Sequence, residues 1–442
     1  GIANAADEKQ ALLTADLDVR GNILGCRYRG IALAGQVVHL AGNRVVDNEV
    51  YLAAEVGLRL LGTVAPGQVV TVAGTTVAGA GAGIEVGGGG YDVTGNTVTG
   101  PKEPVDFRPD GLAVLPPTGV KVRGHTRVTA NRVRDIGGAG ITVGAPLTGL
   151  DIARNTVERA QVGIVVTGRA RSAAAQISGN TVSDVGAREG DQQRAVGIQV
   201  VGAARAEVES NVVRGVGQSP GLEGGALGIW VHSCPEVRVA GNSVDEVGSP
   251  EVAKGDRGIA VEGLVDRVLV GSNHIRRMAD GVNEGVGEWI GLLVDAGATK
   301  QASNVGGYVT AVGVTAAVTV GTQAAYAAAG RGRTVTVEGN IVEGGLSPEP
   351  VVDLAATGTV IVNDNHALKN TDLDGRAALQ VEARSVTVNG NRAAGGRPAA
   401  IALEVDPERA AVLGNLVNTE MIELAGQPLG GPWVRLNVYN VF

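Results

Sequence analysis

Four residues have types and spacing that can support acid–base chemistry: Trp230, His232, Glu262 and Asp295. Each lies within or just after a recurring phrase of Gly, then Ile or Leu, any residue, then Val. The phrase reads Gly228-Ile-Trp-Val231, Gly258-Ile-Ala-Val261 and Gly291-Leu-Leu-Val294. If Ile and Val turn inward, strand alternation turns the residue between them, and the residue after Val, outward. His232, Glu262 and Asp295 then fall on successive rungs, roughly 5 Å apart at their Cα atoms. Two carboxylates at that range shift each other's pKa and divide acid and base roles. Carboxyls about 5–5.5 Å apart suit retaining hydrolysis of a glycosidic bond, and about 6.5–9.5 Å an inverting one. Glu262, Asp295 and His232 are the candidate catalytic groups, with His232 as proton carrier. Trp230 offers a platform for a sugar ring, and Gln199 occupies the same outward position in its own phrase. The loops preceding these strands are long and polar, and long loops on a rigid scaffold commonly carry function. They supply Arg257, Lys254 and Trp289 as further substrate contacts, beside Arg188, Glu189, Asp191, Arg194, Asp256, Glu284 and Glu288. Outward positions on a solvated sheet are also polar by default, so a short polar column arises without function.

What positions these residues is a repeat. The phrase also occurs at Gly83-Ile-Glu-Val86, Gly140-Ile-Thr-Val143, Gly163-Ile-Val-Val166 and Gly197-Ile-Gln-Val200. Between its occurrences runs a second one, two alternating Val positions followed by a small residue, Asn, any residue and Val. Val237-Arg-Val-Ala-Gly-Asn242-Ser-Val244 is an example. The Asn column reads Asn43, Asn96, Asn131, Asn155, Asn180, Asn211, Asn242, Asn273, Asn340, Asn365, Asn391 and Asn415, with Thr75 standing in once. Each unit holds three short strands of period two and no helical periodicity. Three strands per turn predict an all-β fold, a single-stranded right-handed parallel β-helix of about 12–15 coils. Stacked Asn amides, with donors and an acceptor, can bond along the axis in a ladder.

Composition agrees. Glycine makes up 69 of 442 residues, about twice ordinary usage, as frequent tight corners require. Aromatic residues are 2%, as a thin core of Val, Ile, Leu and Ala implies. The net charge of −8 with both signs mixed argues against a nucleic-acid partner. Two cysteines, Cys26 and Cys234, are too few for a disulfide scaffold or a zinc cluster. Their separation by about seven coils, on the order of 34 Å at the rung spacing, makes each a free, partly buried thiol. Asp135, Asp184 and Glu246 each follow a column Asn by four residues. They admit a calcium contact, but the positions between them are not acidic. No cofactor is expected.

The pattern resembles the parallel β-helix superfamily of pectate lyases, polygalacturonases and phage tailspikes, over roughly residues 20 to 430. In the pectate-lyase-like group, ligands usually lie along the sheet that here carries the Gly-Ile-x-Val phrase. The resemblance implies a protein acting on or binding an extended polysaccharide or cell-surface glycan, as a glycoside hydrolase or polysaccharide lyase. The same superfamily equally implies a structural or adhesive β-helix: a surface fibre, phage-tail or injection-machine component. Specific motifs are absent. Asn370-Thr371-Asp372 occurs without the other polygalacturonase signatures, and Ile229-Trp-Val-His-Ser-Cys234 lacks the Asp of the pectate-lyase segment that it resembles. An extracellular, surface- or virion-associated location and a homo-oligomer, such as a trimer, go with the resemblance.

The expected organisation has five parts. Residues 1–20 form an N-terminal cap with a short amphipathic helix over 3–15. Coils occupy 21–296. Residues 297–332 form an irregular insertion or β-hairpin, because the charge-free stretch from Gln301 alternates like a strand and is not a membrane span. Coils resume over 333–430. Residues 431–442, with Trp433, Tyr439 and Phe442, form a C-terminal capping segment.

Overall fold

Alternating Val, Ile and Leu can bury one edge of each strand only if another coil covers it, so the repeat dictates stacking. The structure is a computed structural model. It describes residues 2–3, 12–14, 18–26, 28–40, 44–51, 53, 55–64, 68–87, 89–101, 110–115, 124–144, 147–167, 174–186, 195–218, 225–248, 254–277, 288–296, 334–344, 349–369, 376–396, 399–417, 421–430 and 437–439. Among the described residues the chain is strand and corner, with a single 3-10 turn at Pro407–Arg409. It divides into two compact units, one built on Gly1–Val185 with Gln199–Glu207, the other on Gly186–Ile198, Val208–Tyr308 and Ala317–Phe442.

Each coil carries three strands in the expected order. In the second unit, Glu236–Ala240, Ser243–Val247 and Lys254–Gly263 pair in parallel with Arg267–Gly271, His274–Arg276 and Glu288–Ala296 of the next coil. Like positions therefore stack. Val239, Val244, Ile259 and Val261 are fully buried and meet Val270, Ile275, Leu292 and Val294. The phrase Gly has a steric reason: a Cβ on Gly258 would lie 2.5 Å from the carbonyl oxygen of Gly291.

The Asn column forms hydrogen-bonded ladders in both units. In the first, Asn22 bonds to Asn48, and Thr75, Asn96, Asn131, Asn155 and Asn180 follow one another. In the second, the ladder runs through Asn211, Asn242, Asn273, Asn340, Asn365, Asn391, Asn415 and Asn437. The rung assigned to Asn43 belongs to Asn48, which is fully buried; Asn43 lies outside the described residues. The residue before the Asn, rather than the Asn itself, takes the left-handed backbone at the corner. It is Gly at positions such as Gly241 (φ 62–64° for the set Gly95, Gly179, Gly241) but Ala130 (55°), Arg154 (57°) and Ser210 (56°) elsewhere.

The N-terminal segment differs from expectation at its described residues. No helix forms at the described positions of 3–15. Ile2–Ala3 and Leu12–Thr14 are strands paired in parallel with Arg29–Leu40, which covers the otherwise open backbone edge of that coil. Near the C-terminus, Val438–Tyr439 pairs with Leu416–Val417 beside the last ladder residue, Asn437. The segment 297–332 lies outside the described residues, among which no helix is long and apolar enough to cross a membrane. Cys26 and Cys234 are buried and form no disulfide, and the Cys234 thiol donates to the His232 carbonyl at 3.5 Å.

Candidate functional site

The outward face of the second unit's phrase-bearing sheet is built by Ala226–His232, Lys254–Gly263, Glu288–Ala296, Val352–Asn363, Leu379–Asn389 and Ile401–Glu404. Their inward residues, such as Ile229, Val231, Leu292, Leu354 and Val381, are at most 1% exposed and lock the register. One outward column then reads His232, Glu262, Asp295, Ala355, Glu382 and Glu404. Its neighbour reads Trp230, Ala260, Leu293, Asp353, Gln380 and Ala402. His232, Glu262 and Asp295 thus stand on successive coils, as the phrase spacing predicts.

Trp230 does not present an open ring. It is 3% exposed, and its indole Nε1–H donates to Glu262 Oε2 at 2.8 Å. A buried indole bonded to an outward carboxylate fixes that carboxylate's orientation. The ring also meets His232 edge-on, with centroids 5.5 Å apart and planes at 63°. His232 lies over Gly263, where a Cβ would sit 3.0 Å from its Nε2. Burial pushes the imidazole pKa down, and the Glu262 charge only partly opposes this. His232 is therefore neutral at neutral pH, with Nδ1 buried and unbonded among the described residues. Glu262 and Asp295 are half-buried, open enough to meet a ligand.

The structure adds a third carboxyl that the repeat phrase did not reveal. Asp353 is level with Leu293, one coil on from Asp295. Burial raises its pKa to about 6; the Asp295 and Glu349 charges add to the rise, and Arg376 and Arg257 oppose it. Arg376 pairs with Glu349 at 3.2 Å. Beside this group, Lys369 donates from Nζ to the Arg376 carbonyl at 2.9 Å, and burial lowers its pKa to about 8. Asp353 escaped the sequence pattern because its coil reads Val352-Asp-Leu354 with no phrase Gly. The usable signal was alternation alone.

The remaining sequence candidates separate. Arg257 is half-buried, donates to the Asp256 carbonyl at 3.0 Å, and reaches Asp353 electrostatically. Trp289 is fully buried and belongs to the core, so it cannot contact a polymer. Gln199 is 3% exposed, which leaves it almost no surface to offer a polymer. Asp256, 2% exposed, accepts the Ala226 N–H at 2.7 Å and closes a corner. The side chains of Lys254 and Glu288, and residues 188–194 and 284, lie outside the described residues. Asp135 forms a two-point ion pair with Arg159, at 2.7 and 3.3 Å. Among the described residues no group of three or more His, Cys, Asp or Glu side chains is placed to hold a metal ion.

Comparison with known proteins places the architecture. The family described as right handed beta helix region matches residues 35–213 and 118–290. No curated protein matches the sequence. Among solved structures, the Dettilon tailspike protein is similar with 11% identity and a TM-score of 0.35. The similarity covers 87% of this chain and 62% of that one, so the chain spans less than two thirds of the tailspike's length.

Proposed function

This chain belongs to the right-handed β-helix family, and from that premise we propose that it binds an extended polysaccharide along the outward face bearing Glu262, Asp295 and Asp353, and hydrolyses it there. A rigid stack of coils offers groups at a regular spacing, which suits a linear polymer. The observation that carries the reading is the Trp230 indole bond to Glu262, one coil from Asp295. A buried tryptophan holds an outward carboxylate in place beside a second one. Two carboxyls in different environments, drawn from Glu262, Asp295 and Asp353, are the minimal apparatus for acid–base cleavage of a glycosidic bond. Hydrolysis is favoured over lyase chemistry by charge. Glu262, Asp295, Glu382 and Glu404 share one column and would repel the uronate that a lyase needs. The test is release of reducing ends from a panel of neutral and acidic polysaccharides by the wild type, Glu262→Gln and Asp295→Asn. Equal activity in all three would remove this face from the chemistry.

The second reading is a structural or adhesive β-helix on a cell or virion surface, assembled as a homo-oligomer such as a trimer. It is favoured by the burial of Trp230 and Trp289, which leaves the face without an aromatic platform among the described residues, and by exposed Ile23 (74%), Tyr28 (57%) and Tyr51 (38%) on the first coils. Sedimentation separates the two: a monomer that cleaves glycan supports the first, a stable inactive oligomer the second.

A further inference from the structure

Two pairs of carboxyls on this face differ in geometry. Glu262 and Asp295 are level on adjacent strands, so their Cα atoms are roughly 5 Å apart. Asp295 and Asp353 are also on adjacent strands but two positions out of step, since Asp295 is level with Ala355 and Asp353 with Leu293. That diagonal is roughly 7–8 Å. Both members are aspartates of equal reach on one face, so the backbone diagonal sets the scale of the separation open to their carboxyls. It falls in the range of about 6.5–9.5 Å that leaves room for a water between acid and base.

We propose that Asp353 is the proton donor and Asp295 the general base of an inverting hydrolysis of a neutral glycan. Glu262, held by Trp230, contacts the sugar without exchanging a proton. The inference rests on the reading of this face as a hydrolytic site, and it names the acid, the base, the stereochemistry and the substrate class. In the step, Asp353 gives its proton to the glycosidic oxygen as the bond from the anomeric carbon to that oxygen breaks. A water on the opposite face of the sugar attacks the anomeric carbon and gives its proton to Asp295. One water is consumed, and the two carboxyls return to their starting states by exchange with solvent.

The surroundings of Asp353 fit a donor. Asp295 from Glu288–Ala296 and Glu349 ahead of its own strand favour the protonated form, as does burial. Arg257 from Lys254–Gly263 and Arg376 ahead of Leu379–Asn389 oppose it without reversing it. Gln380, level with Asp353 on that last strand, is neutral. The substrate class follows from the same inventory. Glu262, Asp295, Glu349, Glu382 and Glu404 outnumber Arg257, Arg376 and Lys369, so a polyanion is repelled.

The experiment is proton NMR of the first-formed product from a neutral polysaccharide that the intact protein cleaves, with pH profiles for the wild type, Asp353→Asn, Asp353→Glu and Asp295→Asn. Inversion is expected, with loss of about 10²–10⁴-fold in kcat/KM for either Asn variant. Asp353→Glu is expected to restore part of the rate with a displaced basic limb. Retention of configuration would move the chemistry to Glu262 and Asp295 and overturn the inference while leaving the hydrolytic reading intact. An Asp353→Asn profile like the wild type's would do the same. Failure of the wild type to cleave any glycan would sink both. Carbon-13 titration of the wild-type carboxyls gives a readout independent of folding in the variants: Asp353 must titrate above Asp295, and the reverse order excludes it as donor.

Discussion

Replacing Asn273 with Ala tests the ladder where its bonding is complete. Asn273 is 1% exposed. Its Nδ2 donates to Asn340 Oδ1 and to the Val239 carbonyl, each at 2.9 Å. Its Oδ1 accepts from the Asn242 backbone N–H at 3.0 Å and from Asn242 Nδ2 at 2.9 Å. Ala removes all four bonds. Asn242 Nδ2 keeps its bond to the Val208 carbonyl and Asn340 Oδ1 keeps the Asn273 N–H, but the Asn242 N–H is left buried without its acceptor. Three bonds at about 1 kcal/mol each, with about 1–3 kcal/mol for the orphaned donor, give roughly 4–6 kcal/mol. That is a large share of ordinary domain stability, about 5–15 kcal/mol. Thr should cost about half as much, because a hydroxyl can still accept from the Asn242 N–H. Thr75 already occupies one rung, donating its N–H to Asn96 Oδ1 at 2.9 Å. Urea unfolding gives the loss, and hydrogen exchange at the Asn242 amide locates it. A cost below about 1 kcal/mol for Ala, or no faster exchange at Asn242, would refute the assignment of stability to the ladder.

Other outcomes follow from the same structure. Asp110 accepts the Ala139 N–H at 3.0 Å, and burial raises its pKa from 3.8 to about 6. A raised carboxyl pKa favours the folded state fully below 3.8, and that stability is lost as pH rises through 6. Roughly 3 kcal/mol is at stake, so Asp110→Asn should match the wild type at pH 4 and exceed it at pH 7; equal stability at both pH values would contradict this. Ala130 is exposed with φ 55°, and Ala130→Gly should raise stability by roughly 0.5–1 kcal/mol in thermal unfolding. Trp230→Phe keeps the buried ring but removes the bond to Glu262. It should weaken glycan binding in calorimetry with little change in melting temperature, and unchanged affinity would detach Trp230 from the site.

The fold was largely legible because stacking repeats the same demand on every coil. Three short strands, an Asn rung and a phrase Gly recur until the pattern is unmistakable, and the outward column of His232, Glu262 and Asp295 is the one in which the strands pair. What escaped depends on contacts between distant coils. Asn43 and Asn48 both precede a residue and then Val; only bonding of Asn22 to Asn48 distinguishes them. In the segment that reads as an amphipathic helix, Leu12–Thr14 pairs with Arg29–Leu40, and pairing there overrides local propensity. Trp230 occupies an outward position, yet its own size and its bond to Glu262 bury it. Asp353 was hidden because its coil, like those that begin at Leu379 and Ile401, lacks the Gly that marks the outward column elsewhere.

The proposed function places polysaccharide cleavage on the face carrying Glu262, Asp295 and Asp353. The most direct measurement is reducing-end release from neutral polysaccharides by the wild type and by Asp295→Asn, with folding of the variant verified by its unfolding curve. Steady release by the wild type and a loss of about 10²–10⁴-fold in the variant are expected. Release that is equal in the two proteins, or absent from the wild type on every glycan, would contradict it.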